Sequence, residues 1–542
     1  MSRRARMLCS VTKPRDATKP RSGSRRRGAT STTAFGAGRR EGHDASAFYS
    51  RFAPPKISDD ETVNRPGETL EQLGRGRVFN GSGAEMSQLP DNSVALVVTS
   101  PPYFVGKEYE AAVTGSSAAG SDPALPTTYL DYLEVLREVF AECTRVLEPG
   151  GRIAVNVANL GRKPYRSLSA DVVDILGNDL GLLLRGEIIW EKSETSSGSC
   201  AWGSFAKASN PVLRDMTERV VIASKGRFSR ALSAAERTRR GLPVQSTLTN
   251  DEFMEVTRDV WRIDAESARR VGHPAPFPVD LPRRLIDLYT YSGDIVVDPF
   301  NGSGTTVVAA ARTGRIGVGY DLDADYVALA EQRLAQELER VDDLEALSES
   351  LADADPDVRR AAWSKLGDDD RAEHIHRLAV DGGRKVLDVA SEVLVAAGFD
   401  EPRRSVRAPS GALDADLAIH TGPGGRTDPG SGEPWLVEVG GSFTTSRPGL
   451  HRTDAVWRLL GRLTAMRSDS GTGRPPLVLT PCRPPSGSPA DKALRAAGPG
   501  LAFDVIELFD PDDLARLATY AAEGADARPV AGFWTEADLD RA

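Results

Sequence analysis

Two apolar runs, about two hundred residues apart, each end in a loop that cannot continue a regular element. Val94–Val98 precedes the loop Thr99–Tyr103, which reads TSPPY, and Ile295–Val297 precedes Asp298–Thr306, which reads DPFNGSGTT. Short apolar runs bounded by Gly or Pro indicate buried strands. In an open parallel sheet, ligands bind outside the carboxyl ends of the strands. The pattern therefore predicts an α/β fold in which both loops line one crevice.

The glycine-rich loop is followed by a predicted helix and a further strand. Gly302 and Gly304 allow positive φ and a close approach of the backbone to a ligand, and Thr305 begins an Ala-rich stretch suited to a helix. The next apolar run, Ile316–Tyr320, ends at Asp321, where a carboxylate can accept hydrogen bonds from ribose hydroxyls. This spacing predicts nucleoside binding, and the alternative is a tight strand-to-helix turn. No Lys follows the loop, which argues against a Walker-type phosphate cradle.

The proline-containing loop indicates a different chemistry. Pro101 and Pro102 fix φ and remove two N–H donors, which leaves rigid carbonyl acceptors. Ser100 and the Pro101 carbonyl are therefore candidates to accept hydrogen bonds from an amino group, and Tyr103 offers a flat ring for stacking on a base. The alternative is a proline turn capped by a packed tyrosine.

Together the two loops resemble the exocyclic-amino DNA methyltransferases that use S-adenosylmethionine, in the β-type order with the Ser-Pro-Pro-Tyr loop first. The resemblance covers about residues 75–335. Further segments similar to the family are Gly186–Trp190, Ala201–Gly203, Asn210–Asp215, Ser224–Gly226 and His273–Pro278. Two positions depart from the family pattern. Ser82 stands where an Asp is often found near the adenine of the cofactor, and Ala95 replaces a frequent Asp.

The resemblance implies a Rossmann-like methyltransferase domain with S-adenosyl-L-methionine as cofactor and double-stranded DNA as partner. The cofactor-binding residues that it implies are Asp298, Phe300, Gly302, Gly304, Thr305 and Asp321. The catalytic residues that it implies are Ser100, Pro101, Pro102 and Tyr103.

The chemistry expected of such a site is positioning rather than covalent catalysis. An exocyclic amine is a poor nucleophile because its lone pair is conjugated into the ring of the base. Acceptors at Ser100 and Pro101 would hold the amino hydrogens and align the lone pair with the methyl sulfonium. The base must leave the duplex, and Tyr103 would stack on it. A cytosine-C5 enzyme needs a Pro-Cys nucleophile, and Cys482 follows Pro481 only in a different domain.

The target base and the biological role leave alternatives. Ser rather than Asp or Asn at position 100 favours cytosine-N4 methylation, in restriction–modification or phage defence, whereas the continuation Gly106–Tyr109 also suits adenine-N6 enzymes. A cognate restriction endonuclease is then a candidate partner. The competing hypotheses are a fused enzyme that also cuts DNA and a non-enzymatic DNA-binding module whose cofactor site has decayed at Ser82.

Composition excludes several classes of protein. The 542 residues are 40% hydrophobic, and the four cysteines form no CxxC pair, which argues against a zinc site or a disulfide framework. No apolar run approaches the length of a membrane span, so we predict a cytoplasmic protein with no membrane partner. Residues 1–40 hold twelve Lys or Arg and one acidic residue, with a cluster at Arg21–Arg27. The composition predicts a disordered basic tail over residues 1–67.

Three further divisions follow that tail. We expect the methyltransferase domain over residues 68–340, a helical linker over 341–365 and a C-terminal domain over 366–542. Residues 195–260 are polar and are the predicted target-recognition region. Its candidate contacts to phosphate or guanine are Arg227, Arg230, Arg237, Arg239 and Arg240. Because every methyltransferase motif precedes Pro356, a chain ending near residue 350 is expected to keep methyl transfer.

The C-terminal domain is a smaller α/β unit similar to the restriction-endonuclease-like fold. Its predicted strands and helices follow the order helix, strands, helix, strand, and they include the helices Asp454–Met466 and Pro489–Ala497 and the strand Ala502–Leu508. Asp416 and Glu438 match two positions of that fold's active site, but Gly440 stands where a Lys should be. We therefore predict a degenerate nuclease site at Asp416 and Glu438, without nuclease activity. A structural salt bridge from Arg447 or Arg452 to Glu438 is the alternative explanation of the buried carboxylate.

Overall fold

The computed structural model describes residues 57–102, 128–159, 165–192, 204, 207–211, 213, 216–264, 277–352, 355–382, 385–408, 411, 413–419, 434–443, 448–467 and 474–540. The predictions for the basic tail up to residue 56, for Tyr103 and for Gly106–Tyr109 lie outside the described residues. Most of the polar stretch 193–215 also lies outside them. The prediction of disorder is wrong for residues 57–67, because this segment bonds to the rest of the chain, with the Ser58 N–H donating to the Gly226 carbonyl at 2.7 Å.

The first sheet has eight strands. They are β1 (Gly76–Asn80), β2 (Val94–Thr99), β3 (Leu147–Val157), β4 (Leu183–Lys192), β5 (Thr217–Ser224), β6 (Val260–Ile263), β7 (Ile295–Asp298) and β8 (Ile316–Asp321). Their order across the sheet is β1-β8-β7-β2-β3-β5-β4-β6. The first five strands in this order are parallel, and β5 is antiparallel to both of its neighbours. All residues of β2 and β7 are buried, as expected of central strands covered on both faces.

Helices of this part of the chain connect the strands and cover the sheet. They are α1 (Gly67–Leu73), α2 (Tyr129–Val146), α3 (Leu168–Asp174), α4 (Ala234–Arg239), α5 (Asn250–Val256), α6 (Asp280–Tyr289), α7 (Thr305–Arg312) and α8 (Ala324–Ala352). The start of α2 shows why the local sequence folds as it does. Thr128 and Asp131 form a capping box, and Leu136 and Phe140 then enter the core. None of the described helices is both long and apolar enough to cross a membrane.

The arrangement fits a Rossmann-like methyltransferase fold. From β7 the chain passes through α7 to β8 on one side, whereas from β2 it passes through α2 to β3 on the other. The strand order therefore reverses between β7 and β2. In open α/β sheets this reversal creates the crevice in which ligands bind.

The C-terminal part contains a second sheet of five strands. They are β9 (Arg403–Arg407), β10 (Asp414–Ile419), β11 (Trp435–Val439), β12 (Leu477–Thr480) and β13 (Val505–Glu507), in the order β13-β12-β11-β10-β9. The pairs β9–β10 and β10–β11 are antiparallel, and β11, β12 and β13 are parallel. The observed β13 is shorter than the predicted strand Ala502–Leu508. The sequence pattern also missed β9, which lies at the exposed edge of the sheet.

Helices of the C-terminal part lie before, between and after these strands. They are α9 (Pro356–Trp363), α10 (Asp368–Gly382), α11 (Val386–Ala396), α12 (Thr453–Arg467), α13 (Pro489–Ala497), α14 (Pro511–Glu523) and α15 (Glu536–Leu539). The predicted helices Asp454–Met466 and Pro489–Ala497 correspond to α12 and α13 within one residue at each end.

The two sheets have separate apolar cores, although the chain from Lys56 onward forms one compact unit. Clusters around the first sheet draw on residues between Leu70 and Ala330. Clusters around the second sheet draw on residues between Trp363 and Leu539. No cluster of the described residues contains members of both groups. Buried polar groups that join the two parts are described below.

Candidate active site

The two loops singled out in the sequence meet at the reversal of strand order. Strands β2 and β7 are paired through Leu96–Val296 and Val97–Val297, so their carboxyl ends lie side by side. Thr99, the last residue of β2, donates a hydrogen bond of 2.6 Å from Oγ1 to Oδ1 of Asp298, the last residue of β7. The loop that begins at Ser100 and the glycine-rich loop therefore begin next to each other at the same edge of the sheet.

Asp298 joins three elements and faces the protein interior. Its side chain, 1% exposed, accepts hydrogen bonds from Thr99, from the Thr306 hydroxyl at 2.7 Å and from the Phe300 N–H at 3.1 Å. Burial raises the pKa of this carboxyl group to about 6, although the two threonine hydroxyls partly oppose the rise. Both carboxylate oxygens are thus engaged inside the protein, and Asp298 connects β2 with the start of α7.

The glycine-rich loop requires glycine at Gly302 and Gly304. Both residues have positive φ, 48° and 83°. A Cβ on Gly304 would lie 2.7 Å from the Cβ of Ala330 on α8, so the loop could not pack there with a larger residue. The following residue, Thr305, is buried and begins α7.

Asp321 ends β8 beside this loop and is held by backbone groups. One carboxylate oxygen accepts from the Gly302 N–H at 2.7 Å, and the other accepts from the Asp323 N–H at 2.9 Å. Burial raises the pKa of Asp321. No Lys or Arg of the described residues forms an ion pair with it. The carboxylate is therefore fixed in position without being neutralised by a cation.

The loop after β1 closes the same edge of the sheet. The Gly81 N–H donates to the backbone carbonyl of Asp321 at 2.9 Å, and the Ser82 hydroxyl accepts from the Ala84 N–H at 3.1 Å. A Cβ on Gly83 would lie 2.5 Å from the carbonyl oxygen of Pro299, so this loop packs directly on the glycine-rich loop. Ser82, the departure from the family pattern, thus stabilises the turn after β1.

Ser100 is held from the side opposite to the glycine-rich loop. Its Oγ donates to the backbone carbonyl of Asn156, at the end of β3, at 3.1 Å, and lies 3.4 Å from Asn156 Nδ2. Asn156 Nδ2 donates to Glu218 at 2.6 Å, and Glu218 also receives a hydrogen bond from Lys192. The sequence reasoning missed these three residues. The available signal was a polar residue, Asn156, inside the apolar strand 153–157.

The other predicted catalytic positions are only partly described. Pro101 is buried and Pro102 is exposed, whereas Tyr103 lies outside the described residues. The structure therefore brings together Ser100, Pro101 and the six predicted cofactor residues at one edge of the sheet, between the loops after β1, β2, β7 and β8.

Two of the predicted DNA-contacting arginines form ion pairs with buried carboxylates, which contradicts that role for them. Arg230 forms ion pairs with Glu148 at 2.5 Å and with Asp294 at 2.6 Å. Arg237 pairs with Asp294 at 2.9 Å and is itself fully buried. A buried guanidinium needs such carboxylate partners. Of the remaining three candidates, Arg227 bonds to the Asp60 carbonyl, and Arg239 and Arg240 bond to Glu236.

The C-terminal carboxylates are also brought together, but with an arginine between them. Glu438, 1% exposed, binds Arg462 of α12 through Nε at 2.5 Å and Nη2 at 2.9 Å. Arg462 also lies 3.7 Å from Asp416, whose other oxygen accepts from the Val439 N–H. The partner of Glu438 is thus Arg462, and the suggested Arg452 pairs instead with Glu255 and Asp454. Arg447 lies outside the described residues.

This second site offers no metal-binding cluster. Among the described residues, no group of three or more His, Cys, Asp or Glu side chains could hold a metal ion. Gly440 lies directly after β11, two residues beyond Glu438, and its N–H donates to the Leu479 carbonyl at 2.7 Å. Burial raises the pKa of Glu438 despite the hydrogen bonds from Arg462.

Comparison with known proteins matches a family to the segment that contains both loops. The model of a DNA methylase family, covering N6 and N4 methyltransferases, matches residues 94–332. The type II methyltransferase M.MjaVI of Methanocaldococcus jannaschii is 30% identical over 184 residues, which are 34% of this chain and 83% of that protein. The type II beta methyltransferase M.BslI of a Bacillus species is 28% identical over 305 residues, which are 53% of this chain but only 31% of that protein.

A solved structure is similar over about half of the chain. It is a DNA modification methylase of Thermus thermophilus in complex with S-adenosyl-L-methionine, with 28% identity and a TM-score of 0.36. The alignment covers 48% of this chain and 94% of that one. The identity over most of M.MjaVI, together with the match to the family model, is sufficient to assign the family. The chain belongs to the S-adenosylmethionine-dependent DNA methylases of the N6/N4 family, which confirms the family and the cofactor predicted from its sequence.

Proposed function

We propose that the chain transfers a methyl group from S-adenosylmethionine to the exocyclic amino group of a flipped base in double-stranded DNA, with cytosine-N4 as the target. The observation that carries the proposal is the hydrogen bond between Thr99 and Asp298. It ties the start of the amine-holding loop to the start of the cofactor loop. Methyl transfer needs these two loops at a fixed separation, because its rate depends on the alignment of donor and acceptor.

The residues around the glycine-rich loop fit the cofactor. S-adenosylmethionine supplies a methyl group on a positively charged sulfur and carries a ribose with two hydroxyls. Among the described residues, the groups that hold Asp321 are backbone N–H groups, which leaves its oxygens able to accept further hydrogen bonds from such hydroxyls. Gly302 and Gly304 let the backbone approach a ligand closely. Asp298 supports the cofactor loop from within rather than by contact.

The residues at the end of β2 fit an amino group. The Ser100 hydroxyl gives its hydrogen to the Asn156 carbonyl, so its oxygen acts as an acceptor toward other groups. Pro101 has no N–H, and its carbonyl is a second acceptor in the same loop. Two acceptors that hold both amino hydrogens draw the nitrogen lone pair out of conjugation with the ring, which is the condition for nucleophilic attack. Tyr103 remains the predicted stacking residue.

Nucleoside analysis tests the proposal. The full chain is incubated with DNA and S-adenosylmethionine, and the DNA is digested and examined by mass spectrometry. We expect N4-methylcytosine, strongly reduced in Ser100→Ala and unchanged in the exposed control Ser87→Ala. Adenine methylation alone would overturn the choice of base and leave the adenine-N6 alternative. The absence of any methylated base would overturn the function.

The biological role that we propose is modification within a restriction–modification or phage-defence system, with a cognate restriction endonuclease as partner. The relatives named type II methyltransferases support this setting. Host DNA from cells that express the chain should resist one endonuclease while remaining sensitive to others. Resistance that persists in Ser100→Ala would show that methylation by this site is not its cause.

For the C-terminal part we propose a restriction-endonuclease-like fold that lacks nuclease activity. An antiparallel β9–β10–β11 unit followed by the parallel strands β12 and β13 supports the fold, and the positions of Asp416 and Glu438 support a common origin of the site. Gly440 in place of Lys and the guanidinium of Arg462 on Glu438 argue against catalysis. Plasmid DNA should stay intact in Mg²⁺ with or without S-adenosylmethionine. Cleavage that Glu438→Ala abolishes would instead establish a fused restriction–modification enzyme.

A further inference from the structure

Buried charged groups connect helix α10 of the C-terminal part to helix α6 of the methyltransferase part. The carboxylate of Glu373 receives two hydrogen bonds from the guanidinium of Arg283, at 2.7 Å and 3.2 Å. Each of the two residues is 5% exposed. Glu373 lies well outside the segment 94–332 that the family model matches. The pair has no part in the chemistry proposed above.

The charges continue from Arg283 toward the cofactor strand. Arg283 lies 3.8 Å from Asp287, and Asp287 lies 3.5 Å from Arg315, which directly precedes β8. Arg315 also donates to the Thr290 carbonyl at 2.8 Å. The buried groups thus alternate in sign from Glu373 to Arg315. Because a buried charge is costly without a partner, Glu373 completes an array that begins inside the methyltransferase part.

A second contact fixes the start of α5. His376, one turn after Glu373 on α10, bonds through Nε2 to Glu252 at 2.8 Å. Glu252 belongs to the capping box at the start of α5 with Thr249, whose hydroxyl also donates to the Phe443 carbonyl at 3.0 Å. At the other end of α5, Arg452 pairs with Glu255 at 3.0 Å. Three contacts from the C-terminal part therefore hold this one short helix.

The helices held in this way flank functionally important segments. Helix α5 lies inside the predicted target-recognition region, and it leads through β6 to the segment before α6. Helix α6 in turn leads to β7 and the glycine-rich loop. A displacement of α5 or α6 would therefore move the DNA-facing side of the site relative to the cofactor side.

We propose that Glu373 and His376 are positioning residues for DNA methylation, by which the C-terminal part holds the target-recognition region in the geometry that binds DNA. This inference rests on the proposed function. It gives the C-terminal part a role that needs no nuclease chemistry. It also predicts that disturbing the contact affects DNA more than the cofactor, because Asp321 and the glycine-rich loop are held by their own backbone hydrogen bonds.

The test uses the full chain with Glu373→Gln, His376→Ala and His376→Gln. The control is Asp388→Asn, which breaks an exposed pair with Arg404 in the same C-terminal part. We expect Glu373→Gln and His376→Ala to raise the KM for DNA about tenfold, while the Kd for S-adenosylmethionine stays within twofold. His376→Gln keeps an N–H that can donate to Glu252 and should restore most of the DNA affinity. Asp388→Asn should match the wild type.

Several results would overturn the proposal. One is a folded His376→Ala chain with unchanged KM for DNA, and another is equal loss of DNA and cofactor affinity. If Glu373→Gln does not fold, the comparison of His376→Ala with His376→Gln decides. A wild-type chain that methylates no DNA would overturn the proposed function itself, whereas a methylating wild type with unaffected variants would overturn only this inference.

Discussion

Two sites in this chain place carboxylates on the strands of an α/β sheet, and they differ in what surrounds the charge. Asp321 at the end of β8 accepts hydrogen bonds from the backbone N–H groups of Gly302 and Asp323. Glu438 on β11 is bound by the guanidinium of Arg462 through two nitrogens. Burial raises the pKa of both carboxyl groups. The first carboxylate has no cationic partner among the described residues, whereas the charge of the second is neutralised by Arg462.

The difference shows that the partner of a carboxylate decides whether the carboxylate can still accept a hydrogen bond from a ligand. Backbone N–H groups orient a carboxylate without cancelling its charge, so it can still accept a hydrogen bond from a ligand. A bidentate arginine both orients the carboxylate and cancels its charge, because two of its N–H groups bond to the carboxylate oxygens at once. Both side chains end in a carboxylate, and the group that bonds to the carboxylate decides what it can do.

The largest effect is expected when the C-terminal part, which carries the Glu438 site, is removed. A chain ending near residue 350 loses the partners of Arg283 and Glu252, and breaking a buried ion pair costs about 3–5 kcal/mol. In contrast to the expectation from the sequence alone, we predict that this chain loses most methylation. Its free energy of unfolding should fall by about 3 kcal/mol or more. Urea denaturation and methyl incorporation measure the two effects, and a fully active truncated chain would refute the prediction.

Substitution of the arginine tests the neutralised site. Arg462→Ala leaves Glu438 buried without a cation, so the free energy of unfolding should fall by about 3 kcal/mol. The double variant Arg462→Ala/Glu438→Ala should lose less than the sum of the single variants, because no charge is stranded. The exposed Arg458→Ala is the matched control on the same helix. Additive losses in chemical denaturation would show that the two side chains do not form a coupled pair.

Substitution of the other carboxylate tests the site that keeps its charge. Asp321→Ala should raise the Kd for S-adenosylmethionine about tenfold or more, since a hydrogen bond to a charged group contributes about 1.5–3 kcal/mol. DNA binding should change little. Calorimetric titration measures the cofactor affinity, with the neighbouring Asp325→Ala as control. An unchanged affinity would mean that Asp321 only holds the turn before α8.

The pH dependence of the free energy of unfolding tests the role of Asp298, the carboxyl group between the two loops. Because the pKa of Asp298 is about 6 in the folded protein, above its ordinary value of 3.8, the folded state holds this proton more tightly. The contribution of this proton to the free energy of unfolding is present below about pH 4 and is lost as the pH rises through about 6. The side chain of Asp298→Asn does not titrate. The free energy of unfolding of this variant, relative to that of the wild type, should therefore rise by on the order of 1 kcal/mol per pH unit between about pH 4 and 6. The free energies of unfolding are measured by urea denaturation. Parallel plots of these values against pH for the wild type and the variant would contradict the prediction.

The sequence was sufficient where an apolar run and its end carry the information. The strands β2, β7 and β8 could be predicted because each is a short buried run that ends at Pro, Gly or Asp. Strand β9 could not, because its sequence, Arg403–Arg407, has one apolar residue and is a strand only through pairing with β10. An edge strand needs little burial, so it leaves no period-2 apolar pattern.

Side-chain partners were the least predictable part of the candidate site. Arg230 and Arg237 lie in a polar stretch and suggested contacts with DNA, but they fold back onto Asp294, more than fifty residues later. Arg462 was missed as the partner of Glu438 because α12 brings them together only in the tertiary structure. Long-range ion pairs leave no local periodicity in the sequence.

The polar contact between the two parts has a consequence for synthesis of the chain on the ribosome. The methyltransferase part emerges first, and domains generally begin to fold in that order. The face that it later presents to the C-terminal part includes Glu252 and Arg283, which water can solvate until the C-terminal part has folded. An exposed apolar face at that stage would invite aggregation. Charged groups at this contact thus reduce the apolar surface that the first part exposes before the second part folds.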